Sequence, residues 1–277
     1  MIQSILIGLK RLAVLVPGVL IAYFAMRNIF PYFDKRLPLS IAIFITYIIT
    51  AYGLIPAAIR GLRILKPAKH LPLYCVTPDG FASDPLNIGI LGTRRQLIMA
   101  MERSGWHMAD RHTLKNVTRI GLSTLFKNTY SNAPVSSLYL FGRKQDLAFQ
   151  IPVEDKNGNR HHVRFWATSY DAQGKISFNA IHWQKRRSQL KGSDLLWVGA
   201  ASLDNGFGFI RHNFQITHMI DPDTNKEREL IVERLNQKNL IGKTDSIKLG
   251  EPYKLINRVF RGSLHSDGKM TIVKLNK

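Results

Sequence analysis

The 277-residue sequence contains one cysteine, Cys75. That excludes a disulfide within the chain and any thiolate-based metal site, and it marks Cys75 as an expected buried apolar residue. Acidic residues are scarce: 19 Asp+Glu stand against 39 Lys+Arg, a formal net charge of +20. After Pro67 no Pro- or Ser-rich linker, internal repeat or low-complexity tract breaks the chain, which argues for one domain there. The most telling absence is local. From Leu37 to Ile59 there is no Asp, Glu, Lys or Arg.

That run, LPLSIAIFITYIITAYGLIPAAI, is long enough to cross a hydrocarbon core of about 30 Å as a helix. A second apolar run, Leu12 to Met26, precedes it between Lys10, Arg11 and Arg27. It is short for a span and must borrow Ile29, Phe30, Tyr32 and Phe33, or Ile5 to Leu9, with Arg27 reaching to the interface. A cleaved signal peptide is the rival, but Tyr23, Phe24, Met26 and Arg27 crowd the place where a small-x-small cleavage site would fall. Residues 1–66 are therefore predicted to form a two-helix transmembrane hairpin, and residues 67–277 a water-soluble domain. Lys10 and Arg11 before the spans and Arg60, Arg63, Lys66 and Lys69 after them outweigh Arg27, Lys35 and Arg36 between them. Both ends are thus predicted to be cytoplasmic.

Residues 1–66 hold 8 Lys+Arg and one acid, Asp34, so the remainder carries 31 basic and 18 acidic residues. The domain is basic in its own right. Its field suits anionic lipid headgroups, phosphates or nucleic acid, and net charge also serves solubility.

Pro67, Pro72, Pro78 and Pro85 punctuate an extended lead-in. Thr93-Arg-Arg-Gln96 reads as a capping box opening a helix to about Arg103, with Leu97, Ile98 and Met101 inward and Gly105 ending it. A less regular helix is expected around Leu114, Val117, Ile120 and Leu125. From Ser136 the period becomes two, giving strands at Ser137–Phe141, Asp146–Val153, His161–Thr168, Ile176–Trp183, Leu195–Ser202 and Phe209–Ile220, with a turn at Asp155–Gly158. Asp221 is placed to cap a helix running to about Gln237, with Pro222 in its first turn and Leu230, Ile231 and Leu235 inward. Asp267-Gly268 is expected to close a hairpin between Val259–Leu264 and Met270–Leu275. The fold class is α+β: a largely antiparallel sheet with flanking helices, after two transmembrane helices.

Several of these segments carry a resemblance. Pro134–Arg143, Gln145–Gln150, His162-Val-Arg-Phe-Trp166, Trp197-Val-Gly-Ala-Ala201, Thr217–Asp221, Asp223–Arg228 and Asn87–Ala109 together resemble the LssY C-terminal domain family, from roughly Pro72 to Gln237. The resemblance implies a bacterial protein of the envelope. Members of that family are often attached to membrane-embedded type-2 phosphatidic-acid phosphatase or DedA-like domains, and the family takes its name from a gene near a type I secretion locus. It implies no catalytic residues. Such attachment after an even number of spans agrees with a cytoplasmic domain.

His162, Arg164 and Trp166 alternate and so share one strand face. Such a His-x-Arg pair beside an aromatic, if exposed, suits a phosphate, or else Arg164 stacks structurally on Trp166. His212, Phe214, Ile216, His218 and Ile220 share another parity. His218 beside Asp221 or Asp223 suggests a base with an orienting carboxylate, against a core histidine with backbone partners and a capping Asp221. His162, His182, His212, His218, Asp204 and Asp221 show no metal-ligand spacing such as His-Glu-x-x-His, so neither metal nor cofactor is expected. Asp204–Gly208 reads as a hairpin loop, and Lys185-Arg186-Arg187 with Lys191 as a basic loop without a nucleic-acid module.

The sequence therefore points to a membrane-anchored accessory or binding protein at the bacterial inner membrane. It would engage anionic lipid, lipid-linked phosphate or a membrane partner, with nucleic acid disfavoured. Arg143, His162, Arg164, Trp166 and His218 are the ligand candidates. The alternatives are a hydrolase built on His162, His218, Asp221 or Asp204, and a structural partner of a secretion or phosphatase system.

Overall fold

Unbroken apolar sequence winds into helix near the N-terminus, and alternating sequence extends into sheet after it. The computed structural model describes residues 16–55, 57–58, 61, 71–78, 80, 82–110, 135–140, 142–153, 159–168, 195–210, 215–257 and 262–276, with backbone alone for 205–210, 215–219, 253–257 and 262–264. The expected strand at Ile176–Trp183, the helix around Leu114–Leu125, the turn at Asp155–Gly158, and His182, His212, Lys185–Arg187 and Lys191 lie outside these residues. Two compact units divide the chain: Met1–Arg63 with Pro78–Phe81, and Ile64–Thr77 with Ala82–Lys277.

In the first unit the chain is α-helical over 16–24, passes through a π segment at Ala25–Ile29, and resumes as Phe30–Asp34. A second helix, Leu39–Ile48, starts after Pro38 and continues into a π segment, Ile49–Leu54. Each π turn splits an apolar run into shorter pieces. Among the described residues no helix is long and apolar enough to cross a membrane, so the expected pair of spanning helices is not met in that form. The polar side chains within these runs bond back to their own backbone: Asn28 to the Phe24 carbonyl, Thr46 to Ala42 and Thr50 to Thr46. Ala25, Ala42 and Thr46 are buried where the Ala25–Ile29 segment meets Leu39–Ile48, small residues that let two backbones approach.

The second unit is built on an eight-stranded sheet. Its strands are β3 (Ile88–Gly92), β4 (His107–Met108), β7 (Leu147–Pro152), β8 (Arg160–Ala167), β9 (Leu195–Ile210), β10 (Gln215–Ile220), β11 (Ile241–Lys248) and β14 (Lys269–Leu275). The order is β11-β14-β3-β9-β8-β7-β4, with β10 on the far half of β9. All pairs are antiparallel except β14 with β3. A four-stranded sheet holds β1 (Tyr74–Val76), β2 (Ala82–Pro85), β5 (Tyr139–Leu140) and β6 (Arg143–Lys144), and β12 (Tyr253–Asn257) pairs with β13 (Gly262–Ser266).

Helices α1 (Arg94–Arg103) and α2 (Thr224–Gln237) cover one face of the large sheet. There Leu97, Met101, Ile231 and Leu235 bury against Val163, Phe165, Trp197 and Val273, each worth roughly 1.5–3 kcal/mol of apolar burial. The capping box of α1 forms as the spacing predicts: Thr93 and Gln96 bond reciprocally. Gly105, at φ +88°, ends the helix and lets the Trp106 N–H reach the Met101 carbonyl at 2.9 Å, a Schellman closure. The other face of the sheet packs Trp166, Leu196, Val198, Met270 and Ile272 against Leu71, Cys75, Leu86, Leu138 and Leu140 of the smaller sheet and its approaches. Cys75 is buried as expected.

Three local expectations are corrected. Asp204–Gly208, expected as a hairpin loop, runs inside β9 and pairs with β10. Asp223, not Asp221, caps α2 by accepting from the Asn225 N–H, and Asp221 instead accepts the Asp223 N–H at 2.9 Å. Among the described residues, the segments flanking Asp267-Gly268 do not pair with each other. β13 goes to β12, and β14 enters the large sheet between β11 and β3, because Met270, Ile272, Val273 and Leu275 need burial on both its faces. Gly268, at φ +71°, makes the turn where a Cβ would strike the Gly250 carbonyl.

Candidate functional site

The alternation of β8 divides its residues between two layers. Val163, Phe165 and Ala167 face the helices; His162, Arg164 and Trp166 face the smaller sheet. Register sets Ser202 opposite His162, Ala200 opposite Arg164, Val198 opposite Trp166 and Asp204 opposite Arg160. Asp84 arrives from β2, and Ser136 from the segment ahead of β5. The shared face predicted for His162, Arg164 and Trp166 is present, but all three are buried rather than exposed.

Asp84 is the centre of this cluster. One of its oxygens meets Arg164 Nη1 at 2.7 Å, Ser202 Oγ at 2.8 Å and His162 Nε2 at 3.7 Å; the other accepts from Ser83 Oγ at 3.1 Å. Burial by itself would raise the Asp84 carboxyl. The Arg164 guanidinium, with His162 and Ser202, overrides it and holds the group well below the usual carboxylate range. Arg164 completes its fork on the other side, donating from Nε to the Ser136 carbonyl and from Nη2 to Ser136 Oγ, both at 3.1 Å. The planar guanidinium thus joins three segments distant in sequence. The same Asp84 charge, added to burial, pushes the Cys75 thiol well up, and that thiol donates to the Asp84 carbonyl.

His162 lies between Ser202 Oγ, 2.8 Å from Nε2, and Asp204 Oδ2, 3.4 Å from Nδ1. The order Ser–His–Asp has the outline of a nucleophile, a base and an orienting carboxylate. Hydrogen-bond direction argues against that role. An ionised Asp84 only accepts, so the single Ser202 hydroxyl proton goes to Asp84, and His162 Nε2 must donate to Ser202. A base needs a lone pair at that nitrogen. Ser202 is also fully buried.

Arg143 and Trp166 form a second knot. Arg143 Nη2 lies 2.8 Å from both Asp146 Oδ2 and the Ala167 carbonyl, and Trp166 Nε1 donates to the Arg143 carbonyl at 3.0 Å. Arg164 therefore pairs with Asp84 and Ser136, and Trp166 with Arg143. His218 is on β10, its backbone opposite Phe207 of β9, and Asp221 begins the turn into α2. Of the weak catalytic candidates, His162 and Asp204 come together, and Asp221 accepts the Asp223 N–H at the entry to α2.

Sequence reasoning missed Asp84, Ser202 and Ser136, which lie on three separate segments. It also missed two buried polar links. His161, on the helix side of β8, meets Glu227 of α2 at 2.8 Å. Asn87 bonds the Ala201 carbonyl and N–H and the Thr224 carbonyl, extending the β9 ladder with a side-chain amide. The alternation of β8 was the one available signal, since it sends His161 and His162 to opposite layers.

An α+β domain with an ion-pair cluster sealed between two sheets is the class of protein these features define. The profile of the LssY C-terminus family matches residues 68–270. The chain belongs to that family, and every member of the cluster falls within the match. No curated protein and no solved structure matches the chain.

Proposed function

We propose that this protein is a membrane-anchored accessory or binding module of the bacterial envelope, held at the inner membrane by its N-terminal helical unit and presenting a basic domain to anionic lipid, lipid-linked phosphate or a membrane partner. One observation carries this. In the first unit the large apolar side chains point outward, among them Leu20, Tyr23, Phe24, Met26, Ile43, Phe44 and Tyr52. An apolar exterior of that extent needs a cover, and a bilayer supplies one along both helices. Arg27 and Arg36 bond to Tyr23 and to the Tyr32 carbonyl near the turn between them, the aromatic and cationic mix favoured at a headgroup layer.

In the second unit the exposed cations of α1 and its surroundings, Arg94, Arg95 and Arg103, are the contacts for an anion. Arg143, His162, Arg164 and Trp166 are turned toward protein partners on the other face of the sheet and serve the fold rather than the contact, and His218 stays a candidate on β10. The hydrolase alternative draws on the Ser202–His162–Asp204 order and is disfavoured by the donor direction at His162.

Full-length protein in bacterial membranes tests the anchoring. Resistance to high salt and to alkaline carbonate, with release by detergent, is the expected result. Extraction by salt alone would contradict it. For the ligand, protein purified in mild detergent should carry anionic lipid, reduced when Arg94, Arg95 and Arg103 are replaced together by Gln.

A further inference from the structure

Among the described residues the large sheet ends on β11, which pairs with β14 and no other strand. Gly242 to Ser246 are exposed. Register fixes the direction of the backbone groups on this edge. The Leu249 N–H donates to the Gly268 carbonyl at 2.8 Å, and this pair continues the register Lys248↔Lys269. Hydrogen-bonded and non-bonded pairs alternate along an antiparallel ladder. Asp245 and Ile247 therefore turn their N–H and C=O toward β14, and Thr244, Ser246 and Lys248 turn theirs outward. The Thr271 N–H agrees, since it leaves β14 on the opposite side, for the Asn87 carbonyl.

We propose that β11 is a self-pairing edge, on which two copies of this chain join antiparallel about a twofold axis at Thr244. An unpaired strand edge is a template for another strand, and charge selects the register here. An outward-facing residue on the axis meets its counterpart as a hydrogen-bonded pair; an inward-facing one sits there as a non-bonded pair, which at Lys243 or Asp245 sets like charges opposite each other and at Ile247 sets Asp245 opposite the partner's Leu249. An axis at Lys248 sets like charges opposite each other. An axis at Ser246 sets Asp245 opposite the partner's Ile247 and Lys243 opposite the partner's Leu249, so neither of these two charges meets a complement. An axis at Thr244 sets Lys243 opposite the partner's Asp245, and Asp245 opposite the partner's Lys243. Within one copy Lys243 Nζ already lies 3.2 Å from Asp245 Oδ2, so the two copies bring four alternating charges onto one face. The register shift between Ile241 and Thr244 ends the ladder on one side, which makes the contact short and the dimer concentration-dependent.

The test uses full-length protein in membranes and in mild detergent. Cα atoms of a hydrogen-bonded cross-strand pair lie about 5.5 Å apart, within reach of a disulfide. Thr244→Cys should therefore give a disulfide-linked dimer under mild oxidation. Lys238→Cys, exposed beyond α2, should not, and the native Cys75 is buried and gives no background. Lys243→Glu or Asp245→Lys alone places like charges opposite twice by symmetry and should lower the Thr244→Cys cross-link about tenfold. The two together should restore it. All of these positions are exposed, so the fold is not at stake. Absence of the Thr244→Cys cross-link would overturn the proposal, including where the protein is dimeric through another surface. A cross-link that the single reversals leave unchanged, or that the double reversal fails to restore, would overturn the Thr244 register.

Discussion

The two units of this chain place their apolar surface in opposite ways. In the β-rich unit Leu97, Trp106, Trp166 and Trp197 have lost nearly all contact with solvent, and Met99 and Met108 are its only large hydrophobic residues found exposed among those described. In the helical unit Phe44 and Leu20 are each 61% exposed, and the buried residues among those described are Ala25, Ala42 and Thr46. One unit hides its apolar groups from water by folding on itself. The other leaves that task to its surroundings. A substitution of the same kind should therefore act on stability in one unit and on location in the other.

The largest expected effect is in the β-rich unit. Asp84→Asn removes the charge that compensates Arg164 between the sheets, and leaving one partner of a buried pair alone costs about 3–5 kcal/mol. Chemical denaturation would measure that loss, and membrane retention should not change. The linkage sign follows from the direction of the shift. Because folding holds the Asp84 carboxyl below its ordinary value, the contribution is fully present above about pH 4 and is lost as pH falls through the lower, folded value. The wild-type protein should thus lose its stability advantage over Asp84→Asn on acidification, and the gap between the two should narrow below about pH 4.

Next in size is a matched pair of truncations. Leu97→Ala opens a cavity under α1 and should cost about 2–5 kcal/mol, read as a fall in the thermal midpoint in detergent. Phe44→Ala should leave that midpoint within the ordinary scatter of surface changes, about 0.5 kcal/mol. An equal loss from both would break the contrast between the units. The smallest effect is expected at Thr93→Ala, which removes half of the capping box of α1 and should cost about 1 kcal/mol.

What was legible in the sequence follows local physics. Thr93, Gln96 and Gly105 specify α1 through contacts three to five residues apart, and the alternation of His162, Arg164 and Trp166 specifies a shared face. The Asp84 cluster was not legible. Its members come from β2, the segment before β5, β8 and β9, and only the strand order brings Asp84 to Arg164 across a separation of 80 positions. The charge of Arg164 read as a surface group because a lone Arg on an alternating strand ordinarily is one. The route of β14 was hidden for a related reason. Asp267-Gly268 is a genuine turn, but which strands flank it depends on where Met270, Ile272 and Val273 find two apolar faces. In the first unit the sequence shows the apolar run and not the π turns at Ala25–Ile29 and Ile49–Leu54, which arise from hydrogen-bond slippage rather than composition.

The contrast between the units rests on what covers the outward side chains of the Leu39–Ile48 helix, and labelling tests that most directly. Phe44→Cys and, as the counterpart in the β-rich unit, Met108→Cys can be compared in native membranes opened to both sides, with a water-soluble maleimide. The account predicts that the cysteine at 108 reacts at once, and that the one at 44 reacts only after detergent dissolves the bilayer. Prompt reaction at position 44 in intact bilayer would contradict it.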